Sequence, residues 1–213
     1  MEKIFFDKTT FIWKTKLNRT DDKLLFLKEA NDKIKSLPNN KTDGYKYNEE
    51  WEQNFDFMSD FKIKTKLDEI VQSAIDYCKK IYMENNLTYN KINTDAWINV
   101  VRSKNPIQSN YYNGNDKYHI HADIQKKIGY FHPNYTYVYY IQMPDVMNEK
   151  DGVLYFKSKD NIEYFIRPEE DDLIIMEGDM PHSPNTAPSA NLNRIVFAGN
   201  VGFEFIKKTN SLI

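Results

Sequence analysis

From residue 96 onward the chain breaks into short runs rich in β-branched and aromatic residues. They are AWINVVRS (96–103), KYHIHADI (117–124), YTYVYYIQM (135–143), GVLYFKS (152–158), IEYFIRP (162–168), DLIIME (172–177) and NRIVFAGNVGFEF (193–205). Clusters of Gly, Pro, Asn and Asp separate them. Seven strand-length runs at this spacing indicate a sandwich or barrel. The last run is apolar on both of its alternating faces, which predicts a central strand covered on one side by helices.

The first 90 residues read as helical with one strand in front. TTFIWKTKL (9–17) has a strand-like composition. Asn18 or Thr20 is placed to cap a helix whose first turn carries Asp21 and Asp22. Leu27, Ala30, Ile34 and Leu37 then recur at steps of three and four until Pro38 stops the pattern. A longer helix is predicted over 61–84, with Ile63, Leu67, Ile70, Val71, Ala74, Cys78 and Ile81 on one stripe. On that stripe Cys78 is most simply a small core residue. With no internal repeat and no long linker, the expectation is one α+β domain over 1–213. Residues 1–90 form a helical support packed on one sheet, and 91–213 form the β core.

Composition narrows the setting. Charged residues make up 28% of the chain and nearly cancel, leaving a formal charge of −2. That balance argues against a nucleic-acid binder relying on a general basic field. No apolar run approaches the roughly 18 residues that a membrane helix needs, and the start lacks the apolar core of a secretion signal. A single cysteine leaves no disulfide framework within the chain, so a reducing compartment, the cytoplasm, is expected.

Histidine is scarce, with four in the chain, yet two stand at 119 and 121, with Asp123 two places on. Side chains at i and i+2 of a strand project to one face, so His121 and Asp123 can offer an imidazole and a carboxylate to a single point. His182, just after the run DLIIME, supplies a second imidazole. Two histidines and a carboxylate on one face of a metal form the facial triad of non-haem Fe(II) oxygenases, which leaves positions open for co-substrate and O₂. A register with His119 and His121 as ligands is the alternative. Arg194 opens the last run and faces the same way as Val196, Ala198 and Asn200. A guanidinium turned inward in an apolar strand needs a carboxylate. None is evident nearby in sequence, so a ligand carboxylate is the natural candidate.

AWINVV, HIHADI, YVYYIQMP and DDLIIMEGDMPHSPNTAPSANLNRIVFAGNV, in that order, resemble the 2-oxoglutarate/Fe(II)-dependent dioxygenases. More particularly, they are similar to short bacterial and phage members of that superfamily, and to the prolyl hydroxylases at the metal and arginine positions. The resemblance runs from 96 to 202. It implies a double-stranded β-helix of the jelly-roll or cupin kind. It also implies Fe(II) on His121, Asp123 and His182, with 2-oxoglutarate and O₂ as co-substrates. Arg194 and Tyr139 would hold the distal carboxylate of 2-oxoglutarate, and Asn99, in the W-x-N position, would touch the co-substrate or a metal-bound water. Val196 stands where the pattern usually has Ser or Thr. The implied activity is hydroxylation of a peptidyl residue, such as prolyl, or of a small amino acid or other metabolite. A homodimer is a further expectation from related enzymes.

The alternative from another class is a non-catalytic, cupin-like module that binds a metal or a small ligand. Such a module does not need Arg194 facing its cavity. The stretch 103–118 is long enough to act as a lid, with Tyr111, Tyr112 and Asn113 at its mouth. Trp97 reads as a core anchor and His132 as a loop residue. PEEDD (168–172) reads as an exposed turn.

Overall fold

The computed structural model describes residues 1–28, 61–85, 88–101, 118, 120–122, 131–145, 148–185, 187 and 189–204. Nine strands pair there into two sheets, all through antiparallel ladders. They are β1 (Glu2–Phe5), β2 (Phe11–Lys16), β3 (Lys91–Val101), β4 (Tyr135–Gln142), β5 (Leu154–Lys157), β6 (Glu163–Ile166), β7 (Asp172–Glu177), β8 (His182–Pro184) and β9 (Arg194–Glu204). The larger sheet runs β1-β2-β7-β4-β9-β3 and the smaller β6-β5-β8. A helix, α1 (Phe61–Glu84), covers the larger sheet.

Three layers follow from two apolar clusters. Leu67, Ile70, Ala74, Cys78 and Ile81, from the predicted stripe of α1, pack on Trp13, Tyr137, Tyr139, Ile175 and Phe197. The opposite face of the same sheet presents Ile12, Trp97, Val138, Tyr140, Ile174, Val196 and Ala198, and these meet Leu154 and Phe156 of the smaller sheet. Strand β9 lies between β4 and β3 and is buried along all but its last residue, as its two apolar faces require. Gly199 lets these strands approach. A Cβ there would lie 2.3 Å from both the Asp95 carbonyl and the Tyr137 hydroxyl.

The acidic run Glu169–Asp172 is the exposed turn its charge suggests only in its first half, where Glu169 is exposed and Glu170 half-buried. Asp171 is buried, in a left-handed conformation (φ 70°), and Asp172 is fully buried. The Asp171 carboxylate accepts the amides of Asn18 (2.7 Å) and Arg19 (2.9 Å) and the hydroxyl of Tyr139 (2.9 Å). Asp172 pairs with Lys14 at 2.8 Å, and Glu170 with Lys23 at 2.5 Å. This turn therefore anchors the residues just before the short 3-10 helix at Thr20–Asp22, which has no side-chain cap hydrogen bond. The cap expected from Asn18 or Thr20 is not formed there. Residues 23–28 continue as helix, and Ala30, Ile34 and Leu37 lie outside the described residues.

A second carboxylate ties down the loop that leads into β9. Asp145 accepts the amides of Asn191 (2.7 Å) and Leu192 (2.9 Å) and the Asn191 side-chain amide (3.1 Å). Gln142 adds a bond to the Asn193 carbonyl at 2.7 Å. The Leu192 amide, followed by those contributed by Asn191, lowers the Asp145 pKa to about 2.

Two predictions follow from these clamps. Asp171→Ala leaves three donors without their acceptor, each bond contributing about 1 kcal/mol, so the urea midpoint should fall by the equivalent of about 3 kcal/mol. Asp145 has a depressed folded pKa, so its contribution is present above the ordinary carboxylate value and is lost as pH falls through about 2. In Asp145→Asn, the melting temperature should therefore fall less steeply than in the wild type between pH 4 and pH 2.

Candidate functional site

The site forms inside the sandwich, where alternate residues of the larger sheet face the smaller one. On β3, Trp97 pairs with Ala198 of β9, and Asn99 pairs with Val196. On β8, His182 pairs with Phe156 of β5, so both face the cluster shared by the two sheets. His182 is the first residue of this short strand.

His121 and His182 come together. Both are buried, and their rings lie 5.1 Å apart at 7°. Trp97 stacks on the other side of His121, at 5.2 Å and 20°. The indole is thus a core residue, as expected, but one that packs directly on the imidazole. Burial, then the neighbouring His182, pushes the pKa of His121 well below the usual histidine value. Burial is also the main cause of the fall of His182 to about 4, with Arg194 adding to it and the Met180 carbonyl opposing. Both rings are therefore neutral at physiological pH, the form that binds metals. His182 Nδ1 lies 3.0 Å from the Met180 carbonyl. A carbonyl only accepts, so Nδ1 carries the proton and Nε2 the lone pair.

His121 does not sit in a strand. Residues 121 and 122 have helical backbone, and the Ala122 amide donates to the Gly178 carbonyl at 3.0 Å. The predicted run 117–124 is corrected at these two positions, so the strand rule that put His121 and Asp123 on one face has no strand to rest on at His121. Asp123 and His119 lie outside the described residues, as do Tyr111, Tyr112, Asn113 and the rest of 102–117. Among the described residues no three His, Cys, Asp or Glu side chains are grouped to hold a metal ion. His132 is an exposed loop residue, as read from sequence.

Arg194 is buried on the inner face of β9, the same face as Val196 and Ala198. Its Nη2 donates to the Tyr140 hydroxyl at 3.1 Å, and the guanidinium carbon lies 5.1 Å from the centre of that ring. Its Nε has no hydrogen-bond partner among the described residues, and no carboxylate among them pairs with it. Asn99 likewise carries a buried Oδ1 without a partner among the described residues.

The tyrosine assignment is corrected. Tyr139 belongs to the cluster under α1, and its hydroxyl is taken by Asp171. Tyr140, one residue on, faces the interior and meets Arg194. Alternation along β4 forces this split, because consecutive side chains point to opposite faces. The signal in the sequence was parity with β9: Tyr140 pairs with Val196, two residues from Arg194 on the same face. Sequence reasoning also passed over the Gly178–Met180 turn, whose carbonyls bear on both histidine segments.

No family model matches this sequence, and no curated protein matches it. Among solved structures, the chain is similar to a prolyl-4-hydroxylase from Pseudomonas putida, at 14% sequence identity and a TM-score of 0.44. The likeness covers 63% of this chain and 60% of that one, so the chain matches less than two thirds of the length of this neighbour.

Proposed function

We propose that this protein is a 2-oxoglutarate- and Fe(II)-dependent dioxygenase that hydroxylates a peptidyl residue or a small amino acid or metabolite. The fold in this reading is a double-stranded β-helix, with the larger and smaller sheets as its two walls. The observation that carries the reading is Arg194, a permanently charged guanidinium sealed between two sheets without a carboxylate among the described residues. An uncompensated charge in that position costs several kcal/mol, and a dicarboxylate guest would supply the missing anion through a paired contact.

The donor set fits a ferrous ion. Two neutral imidazoles lie side by side, and one has its ring orientation and tautomer fixed by a main-chain carbonyl. His121 and His182 would hold the metal with Asp123 as the acidic ligand. Arg194 would bind the distal carboxylate of 2-oxoglutarate, with Tyr140 rather than Tyr139 donating beside it. Asn99 offers an unpaired acceptor on the same inner face. With metal and 2-oxoglutarate bound, the centre supplies the oxidising power to place one oxygen atom of O₂ on a substrate C–H bond, while 2-oxoglutarate leaves as succinate and CO₂. The chain itself contributes neutral ligands, a fixed cation for the co-substrate and an apolar wall formed by Val138, Val196 and Ala198. That wall keeps water from the charged groups and strengthens their interactions.

The test is anaerobic addition of Fe(II) and 2-oxoglutarate, watched for the weak visible absorption of the chelate. Metal binding without that absorption would favour the non-catalytic, cupin-like module. Arg194→Ala should weaken 2-oxoglutarate binding by roughly 10- to 100-fold, the equivalent of a lost charge-assisted contact of about 1.5–3 kcal/mol. Unchanged 2-oxoglutarate affinity in a folded Arg194→Ala variant contradicts the assignment. A screen of peptides and free amino acids for stimulated succinate release then identifies the substrate class.

A further inference from the structure

One short turn touches both histidine segments. The Gly178 carbonyl accepts the amide of Ala122, the residue after His121, at 3.0 Å. Two residues on, the Met180 carbonyl accepts Nδ1–H of His182 at 3.0 Å. The turn is itself pinned. The Gly178 amide donates to the Asn134 carbonyl (2.9 Å), the Asn134 amide to Val201 (2.9 Å), and the Met180 amide to the Glu177 carbonyl (3.0 Å).

Glycine at 178 is required by proximity. A Cβ at this position would lie 2.2 Å from the Pro133 carbonyl oxygen and 2.9 Å from its carbon. Backbone atoms cannot rotate aside as the end of a side chain can. Any side chain here therefore drives the turn away from the 133–134 segment, and the displacement reaches both carbonyls.

We infer that the Gly178–Met180 turn is the positioning element of the imidazole pair, setting the separation of His121 and His182 through one main-chain contact to each segment. The inference rests on the metal-centre reading above. Gly178 acts here through the histidines and is a positioning residue. Two ligands from distant parts of a chain bind one ion tightly only when their spacing is held to within about half an ångström. Outer contacts of this kind typically govern metal affinity by 10- to 100-fold.

The experiment compares Fe(II) affinity, measured anaerobically by competition with a coloured chelator, in the wild type, Gly178→Ala and Gly199→Ala. Gly199 is equally crowded, with a Cβ 2.3 Å from Asp95 and Tyr137 atoms, but touches neither carbonyl of the turn. Both variants lose stability. Under conditions where circular dichroism shows each to be folded, Gly178→Ala should lose affinity by about 10- to 100-fold, while Gly199→Ala should keep the wild-type value. Wild-type affinity in folded Gly178→Ala overturns the inference and leaves the metal reading standing. A wild type that binds no Fe(II) sinks the metal reading and the inference with it. Should Gly178→Ala fail to fold, the metal-free wild type decides: long-range ¹⁵N–¹H correlations should show His182 protonated at Nδ1, and protonation at Nε2 overturns the inference.

Discussion

Strict alternation along β9 is the constraint on which the rest of the structure depends. Ile195, Phe197, Val201 and Phe203 enter the core under α1, while Arg194, Val196 and Ala198 face the smaller sheet. A slip of one residue would exchange the two sets, putting the guanidinium under the helix and the phenylalanines against the histidines. The register is held from both sides, by eleven pairs to β3 and a ladder to β4 that shifts only between Tyr140 and Gln142. Gly199 sits in the middle of that ladder, where the Tyr137 ring and the Asp95 carbonyl leave no room for a side chain.

Buried charge is treated in two different ways in this molecule. Asp171 and Asp172 are as deeply buried as Arg194, yet each is met by groups of the chain itself: main-chain amides and a tyrosine hydroxyl for one, Lys14 for the other. Those carboxylates join the N-terminal segment to the β4–β7 region of the larger sheet, and their desolvation is offset by the bonds they accept. Among the described residues Arg194 receives only a hydroxyl and the face of an aromatic ring. A charge-assisted hydrogen bond contributes about 1.5–3 kcal/mol and a cation–π contact about 0.5–2 kcal/mol, and neither supplies a counter-charge. This contrast sets Arg194 apart from the two buried carboxylates and is what the proposed dicarboxylate guest would resolve.

The β core was largely legible because strand length and turn chemistry are local properties. DLIIME was read to its residue limits as β7, and the last run is β9 apart from one residue at each end. The misses share a cause: each depends on a partner distant in sequence. HIHADI alternates like a strand, but a main-chain contact to Gly178 accompanies helical backbone at 121 and 122. PEEDD carries the charge of a solvated turn, and only the approach of Lys14, Lys23 and the 18–19 amides makes it an interior clamp. Tyr139 and Tyr140 could not be sorted from composition, since every residue of β4 is buried and neither face has a polar stripe to mark it. His121, His182 and Arg194 could be singled out as buried polar residues because scarce imidazoles and an inward arginine are conspicuous in an apolar strand context.

The placement of the arginine relative to the histidines also has an electrostatic logic. A cation close enough to depress His182 further competes with any second cation entering the pocket. Left alone, it would weaken a metal at the imidazoles. An anion placed between them reverses the sign of that effect, because it is attracted by both positive centres and screens each from the other. In the proposed reading a metal at the imidazoles and an anion at Arg194 would favour one another: the metal alone would meet an unfavourable field, whereas the anion alone is already attracted by the guanidinium. Such coupling is reciprocal, so in the proposed reading a metal and a dicarboxylate would bind more tightly together than separately. The apolar walls at Val138, Val196 and Ala198 raise the stakes, since charges in a low-dielectric interior feel one another far more strongly than they would in water.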